Sequence, residues 1–126
     1  KKVGADLFVS LHMNAVVKGA ESVRGSEVFY SNKNNSPNSS GLTSKKLAEI
    51  LNTSIYTNLG TNNRGVKEGN LVVTAKNTVP AVLIELGFMS NKEEHDLLTN
   101  EEFQDKAART IYETLLEVFE KYPTGR

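Results

Sequence analysis

Residues 80–88 read Pro-Ala-Val-Leu-Ile-Glu-Leu-Gly-Phe, a run that is apolar at nearly every position and carries one carboxylate, Glu85, near its end. A membrane span needs about 18 consecutive apolar residues, so this run belongs inside a folded sheet. An ionised carboxylate buried there without compensation is strongly unfavourable. Two readings of Glu85 follow. It is held by an ion pair or by backbone N–H groups at the strand end, or it is a catalytic carboxylate.

The other segments alternate between strand and helix signals. Residues 6–12, Asp-Leu-Phe-Val-Ser-Leu-His, suit a strand covered on both faces in a parallel sheet. Residues 1–3, closed by Gly4, read as the tail of a helix, which predicts a missing N-terminal portion. Residues 13–24 have no clean period and are expected to be loop, and residues 25–30 are a second strand rich in β-formers. Residues 31–40 are rich in Asn and Ser and contain Pro37, which marks a surface loop. Ser39 or Ser40 is then placed to cap a helix in which Leu47, Ile50, Leu51, Ile55 and Leu59 recur every three or four residues before Gly60.

Residues 61–70 are polar and expected to be irregular, whereas residues 71–74 and 81–86 predict two more short strands. Phe103, Ala107, Ile111, Leu115, Val118, Phe119 and Tyr122 form one stripe of a long closing helix, ended by Pro123 and Gly125. A chain of 126 residues with this alternation is expected to be one α/β domain with a largely parallel sheet.

Composition narrows the function. Fifteen Lys+Arg balance fifteen Asp+Glu, so the basic excess that favours nucleic acid is missing and none is expected as partner. The absence of cysteine excludes disulfides, thiolate zinc sites and cysteine nucleophiles. No His-Glu-x-x-His run, Gly-x-Ser-x-Gly elbow or phosphate-binding glycine loop occurs.

His12 ends an apolar strand, the position outside which open α/β sheets bind ligands, and it is read either as a packed histidine or as a member of the same crevice as Glu85. Asn14 follows in Ser-Leu-His-Met-Asn-Ala, where an amide orients a substrate or satisfies a turn. His95 lies among dense charges in Asn-Lys-Glu-Glu-His-Asp-Leu-Leu, which reads as a solvated short helix.

Three segments in order, Ala-Asp-Leu-Phe-Val-Ser-Leu-His-Met-Asn-Ala, Asn-Arg-Gly-Val-Lys and Val-Pro-Ala-Val-Leu-Ile-Glu-Leu-Gly-Phe-Met-Ser-Asn, resemble the zinc-dependent N-acetylmuramoyl-L-alanine amidases of cell-wall and spore-cortex remodelling, the type-3 amidase family. The resemblance runs from about residue 5 to residue 122. It implies a twisted, mostly parallel sheet with helices on both faces and one zinc ion in a groove at the strand ends. It also implies a peptidoglycan hydrolase that uses zinc-activated water to cleave the amide between N-acetylmuramic acid and L-alanine of the stem peptide.

On this resemblance His12 is a zinc ligand and Glu85 the general base. Arg64, in Asn-Arg-Gly-Val-Lys, is assigned to a substrate carboxylate, or else to an ordinary loop pairing with Glu68 or solvent. The family's first zinc histidine lies in a Gly-His-Gly-Gly type turn and its glutamate ligand on the next helix. Neither segment is present in residues 1–126. The chain is thus expected to be the C-terminal portion of an amidase catalytic domain, taking two zinc ligands from outside this sequence. A sheet lacking its opening strands would expose an edge that invites self-association or a retained N-terminal fragment. Peptidoglycan is the expected partner, without a membrane span, and the expected location is extracytoplasmic, in the cell wall or spore cortex. The alternative is a catalytically incompetent peptidoglycan-binding or regulatory module.

Overall fold

The computed structural model describes residues 4–16 and 18–124; the expected helix tail at residues 1–3 and the stop at Gly125 lie outside them. The elements are β1 (Phe8–Asn14), β2 (Ser26–Tyr30), a 3-10 turn (Asn32–Asn34), α1 (Ser44–Leu59), β3 (Asn63–Glu68), α2 (Val72–Ala75), β4 (Ala81–Phe88), α3 (Lys92–Leu98) and α4 (Glu101–Lys121). The strands form one open sheet in the order β1-β4-β2-β3. β1 runs parallel to β4, and β3 parallel to β2, but β2 and β4 are antiparallel, so the sheet is mixed with mostly parallel pairings.

Alternation along β4 sends Val82, Ile84 and Leu86 into the main core, where they meet Leu47, Leu51 and Ile55 of α1 and Ala107 and Val118 of α4. The opposite face of β4 carries Leu83 and Glu85. The α1–α4 seam is partly polar: Ser54 Oγ and Thr114 Oγ1 lie 2.6 Å apart, and Thr114 Oγ1 donates to the Thr110 carbonyl. Thr110 and Thr114 are buried, whereas Phe119 at the end of the expected stripe is 37% exposed.

Several expectations are corrected. β1 is not covered on both faces; it is the edge strand, with Leu11 48% and Met13 45% exposed, and it runs on to Asn14. Residues 61–70 are not irregular, because Asn63–Glu68 pair with β2 as an outer strand whose polar residues face solvent. Residues 71–74 do not form a strand. Thr74 and Ala75 backbone N–H groups donate to the Leu71 carbonyl, and Asn34 Nδ2 clamps the carbonyls of Thr74 and Val79, so the segment closes into α2 despite its β-formers.

The cap of α1 is Thr43, whose Oγ1 accepts from Lys46 N at 3.0 Å. Ser40 instead belongs to a turn in which Asn38 Oδ1 accepts from the N–H groups of Ser40 and Leu42. Gly60 does stop α1, in the left-handed conformation with φ 71. Among the described residues no helix is long and apolar enough to cross a membrane.

Candidate active site

The strand pairings bring three titratable side chains into one row. Glu85 on β4 is the register partner of His12 on β1 and of Glu27 on β2. Cross-strand partners point to the same face, so the row reads His12, Glu85, Glu27 across three adjacent strands about 5 Å apart.

Glu85 is the least satisfied member of that row. Its Oε1 is buried and has no hydrogen-bond partner among the described residues. Burial pushes its carboxyl above the usual carboxylate range; His12 pulls it down, and the like charge of Glu27 pushes it further up. His12 is exposed on the edge strand, with Nε2 3.0 Å from Ser10 Oγ. Asn14 ends β1 and uses its Oδ1 as a turn acceptor from Ala15 N at 2.8 Å.

The compensation expected at Glu85 is found at Glu94 instead. Its buried carboxylate accepts from Gly25 N at 3.1 and 3.0 Å and from Phe88 N at 2.8 Å, tying the start of β2 to the end of β4. The helix carrying His95 is therefore only partly solvated: Glu94 is 3% exposed, while His95 and Asp96 lie outside.

Arg64 pairs neither with Glu68 nor with solvent alone. Its Nε lies 3.4 Å from Oε1 of Glu27, and its guanidinium carbon is 5.0 Å from the centre of the Phe88 ring. Lys67 Nζ donates to the same Glu27 oxygen at 2.6 Å and to the Arg64 carbonyl at 2.7 Å. Gly25 leaves room for this arrangement, since at its φ of +122 a Cβ would stand 2.5 Å from the Asn62 carbonyl oxygen and 2.8 Å from Arg64 Cγ. Glu27 and Lys67 are the site residues that sequence reasoning missed. The signal for Glu27 was present, a carboxylate inside the β-forming run Ser-Glu-Val-Phe-Tyr.

Residues 1–117 match the family model for N-acetylmuramoyl-L-alanine amidase. The chain belongs to the N-acetylmuramoyl-L-alanine amidase family. An uncharacterized cell wall amidase of Bacillus anthracis is 39% identical over 121 residues, covering 95% of this chain and 22% of that protein. N-acetylmuramoyl-L-alanine amidase LytC of Bacillus subtilis (strain 168) is 37% identical over 109 residues, covering 86% of this chain and 21% of its own length. The crystal structure of an N-acetylmuramoyl-L-alanine amidase from Clostridium difficile 630 matches with a TM-score of 0.81 and 33% identity, over 96% of this chain and 60% of that one. The chain thus spans about a fifth of these two curated relatives and 60% of the solved chain.

The three segments that carry the amidase resemblance lie on three different strands: Ser-Leu-His-Met-Asn on β1, Asn-Arg-Gly-Val-Lys on β3 and Ile-Glu-Leu-Gly-Phe on β4. The amidase family is generally zinc-dependent. Among the described residues no three His, Asp or Glu side chains come together to hold a metal ion. The imidazole of His12 beside the unpaired Glu85 oxygen fits one side of a zinc centre, and the described residues do not complete it.

Proposed function

We propose that the protein hydrolyses the amide between N-acetylmuramic acid and L-alanine of the peptidoglycan stem peptide, with Glu85 as general base and His12 as a ligand of one zinc ion. The Glu85 carboxylate carries this reading: it lies on an apolar strand, with its Oε1 unpaired, beside an exposed imidazole. Buried structural carboxylates are satisfied, as Glu94 is in this same molecule.

A bound zinc would supply Lewis-acid polarisation of the scissile carbonyl and would acidify water toward neutral pH. Glu85 does the proton work. Its upward shift makes it a stronger base than a surface carboxylate, and with Oε1 enclosed the other carboxylate oxygen, Oε2, is the one that takes the proton of the attacking water. Once protonated, the same oxygen can donate to the alanine nitrogen as the C–N bond breaks, so the amine leaves neutral. Asn14, fixed by its turn at the end of β1, and Arg64, held by Glu27, are assigned to binding substrate.

We read residues 1–126 as a single amidase catalytic domain that draws its remaining metal ligands from residues other than those described. The exposed edge of β1 supports this. Leu11 and Met13 border an apolar cavity of about 170 Å3, lined also by Leu86, Leu98 and Phe103. Strand edges of this kind recruit further strands, here from another polypeptide segment or from a second copy. The place of action we assign is extracytoplasmic, in the cell wall or spore cortex, in line with the Bacillus anthracis relative's description as a cell wall amidase.

The test is to incubate the full protein and zinc with purified peptidoglycan and to label the amino groups released. New alanine amino termini are expected. New ends at another residue would overturn the reading, and so would wall binding without hydrolysis, which is the behaviour of a binding module.

A further inference from the structure

Glu27 holds two cations with one carboxylate oxygen. Lys67 Nζ lies 2.6 Å and Arg64 Nε 3.4 Å from Glu27 Oε1, and the three side chains together carry one net positive charge. The carboxylate is 5% exposed, while Arg64 and Lys67 are 33% and 40% exposed, so the anion is sheltered and the cations face outward. A buried anion beneath partly open cations is a built receptor for a second anion. Arg64 engages Glu27 through Nε, and a guanidinium bound there has four further donors on its Nη groups, in the fork that suits a carboxylate. The Phe88 ring lies against the guanidinium, 5.0 Å from its central carbon, and the Lys67 bond to the Arg64 backbone carbonyl holds the two residues together.

The position of this pair sets the kind of ligand. Lys67 and Arg64 reach from β3 over Glu27 on β2, and Glu27 is the register partner of Glu85. The cations thus cluster at the Glu27 end of the row, and the Glu27 and Glu85 positions lie about one strand spacing, roughly 5 Å, apart. An extended peptide advances about 3.3–3.6 Å per residue, so that distance spans one to two residues.

We propose that Lys67 and Arg64, held by Glu27, form a subsite for a free peptide carboxylate one or two residues beyond the scissile amide, so that the protein distinguishes an acid from a carboxamide there. This rests on the amidase reading of Glu85. The role is binding and specificity, because neither cation touches the reacting atoms.

The probes are N-acetyl-alanyl-alanine and its C-terminal carboxamide, titrated separately into the full protein and followed by backbone amide NMR. The acid is expected to bind about tenfold tighter than the amide, the scale of one charge-assisted contact in a half-open site. That preference is expected to fall with added salt and to vanish in K67M and R64Q, with the spectrum away from β2 and β3 unchanged. Equal binding of acid and amide by the unmodified protein would overturn the proposal, and so would a preference that survives both substitutions. A preference without hydrolysis of peptidoglycan would remove the amidase reading and leave the subsite. Hydrolysis without a preference would do the reverse.

Discussion

Glu85 on β4 and His12 on β1 are direct partners in a parallel strand pair, so the carboxylate and the imidazole leave the sheet on the same face. Because β1 is the edge strand, the imidazole is open to solvent while the carboxylate beside it is partly buried, with Oε1 enclosed. On the proposed amidase reading, the pair joins an accessible metal ligand to a partly desolvated base.

Glu85 is expected to destabilise the metal-free fold at neutral pH. Its folded-state pKa is raised by burial, so the folded chain holds the proton more tightly than the unfolded chain. Stability therefore falls as pH rises from the ordinary carboxylate value through the raised one. In metal-free protein E85Q should show a higher urea midpoint than the unmodified chain at pH 7, with the gap closing toward pH 4. A lower midpoint for E85Q at pH 7 would show that the carboxylate has a stabilising partner.

Glu94 is expected to behave in the opposite way. E94A leaves the N–H groups of Gly25 and Phe88 without their shared acceptor in a buried place, and at about 1–3 kcal/mol per orphaned group a loss of roughly 2–6 kcal/mol follows. Urea unfolding measures it. Hydrogen exchange should quicken first at Gly25 and Phe88, and a loss below about 1 kcal/mol would mean that water replaces the carboxylate freely.

Two glycines with positive φ should differ in what they tolerate. G60A meets open space at φ +71 and should lose about 1–2 kcal/mol from the left-handed conformation alone. G25A adds a collision with the Asn62 carbonyl at 2.5 Å, so its loss of stability should exceed that of G60A and its damage should extend to Arg64. Equal losses in thermal unfolding would show that β2 and β3 separate easily.

The readable part of the site was the part made of charge inside apolar runs. Glu85 and His12 stand out because their neighbours along the strand are apolar, and burial makes such groups conspicuous. Glu27 gives the same signal in a shorter run, but its meaning depends on Arg64 and Lys67, which arrive only by strand pairing. β3 was illegible because Asn63–Glu68 holds one strongly apolar residue, Val66, and the strand exists through its ladder with β2. The antiparallel junction of β2 and β4 leaves no local mark, since alternation of strands and helices reads the same for either direction. In α2 the β-formers Val72 and Val73 were overruled by the clamp from Asn34, a contact across 40 residues of sequence.

The most direct measurement is the turnover of E85Q against the unmodified full protein on peptidoglycan, both loaded with zinc and with metal content determined on the same samples. Equal metal content with turnover reduced about 10²–10⁴-fold is the expected result, because the base is lost and the imidazole of His12 remains. Turnover retained within a few fold at equal metal content would contradict the assignment of Glu85 as the general base.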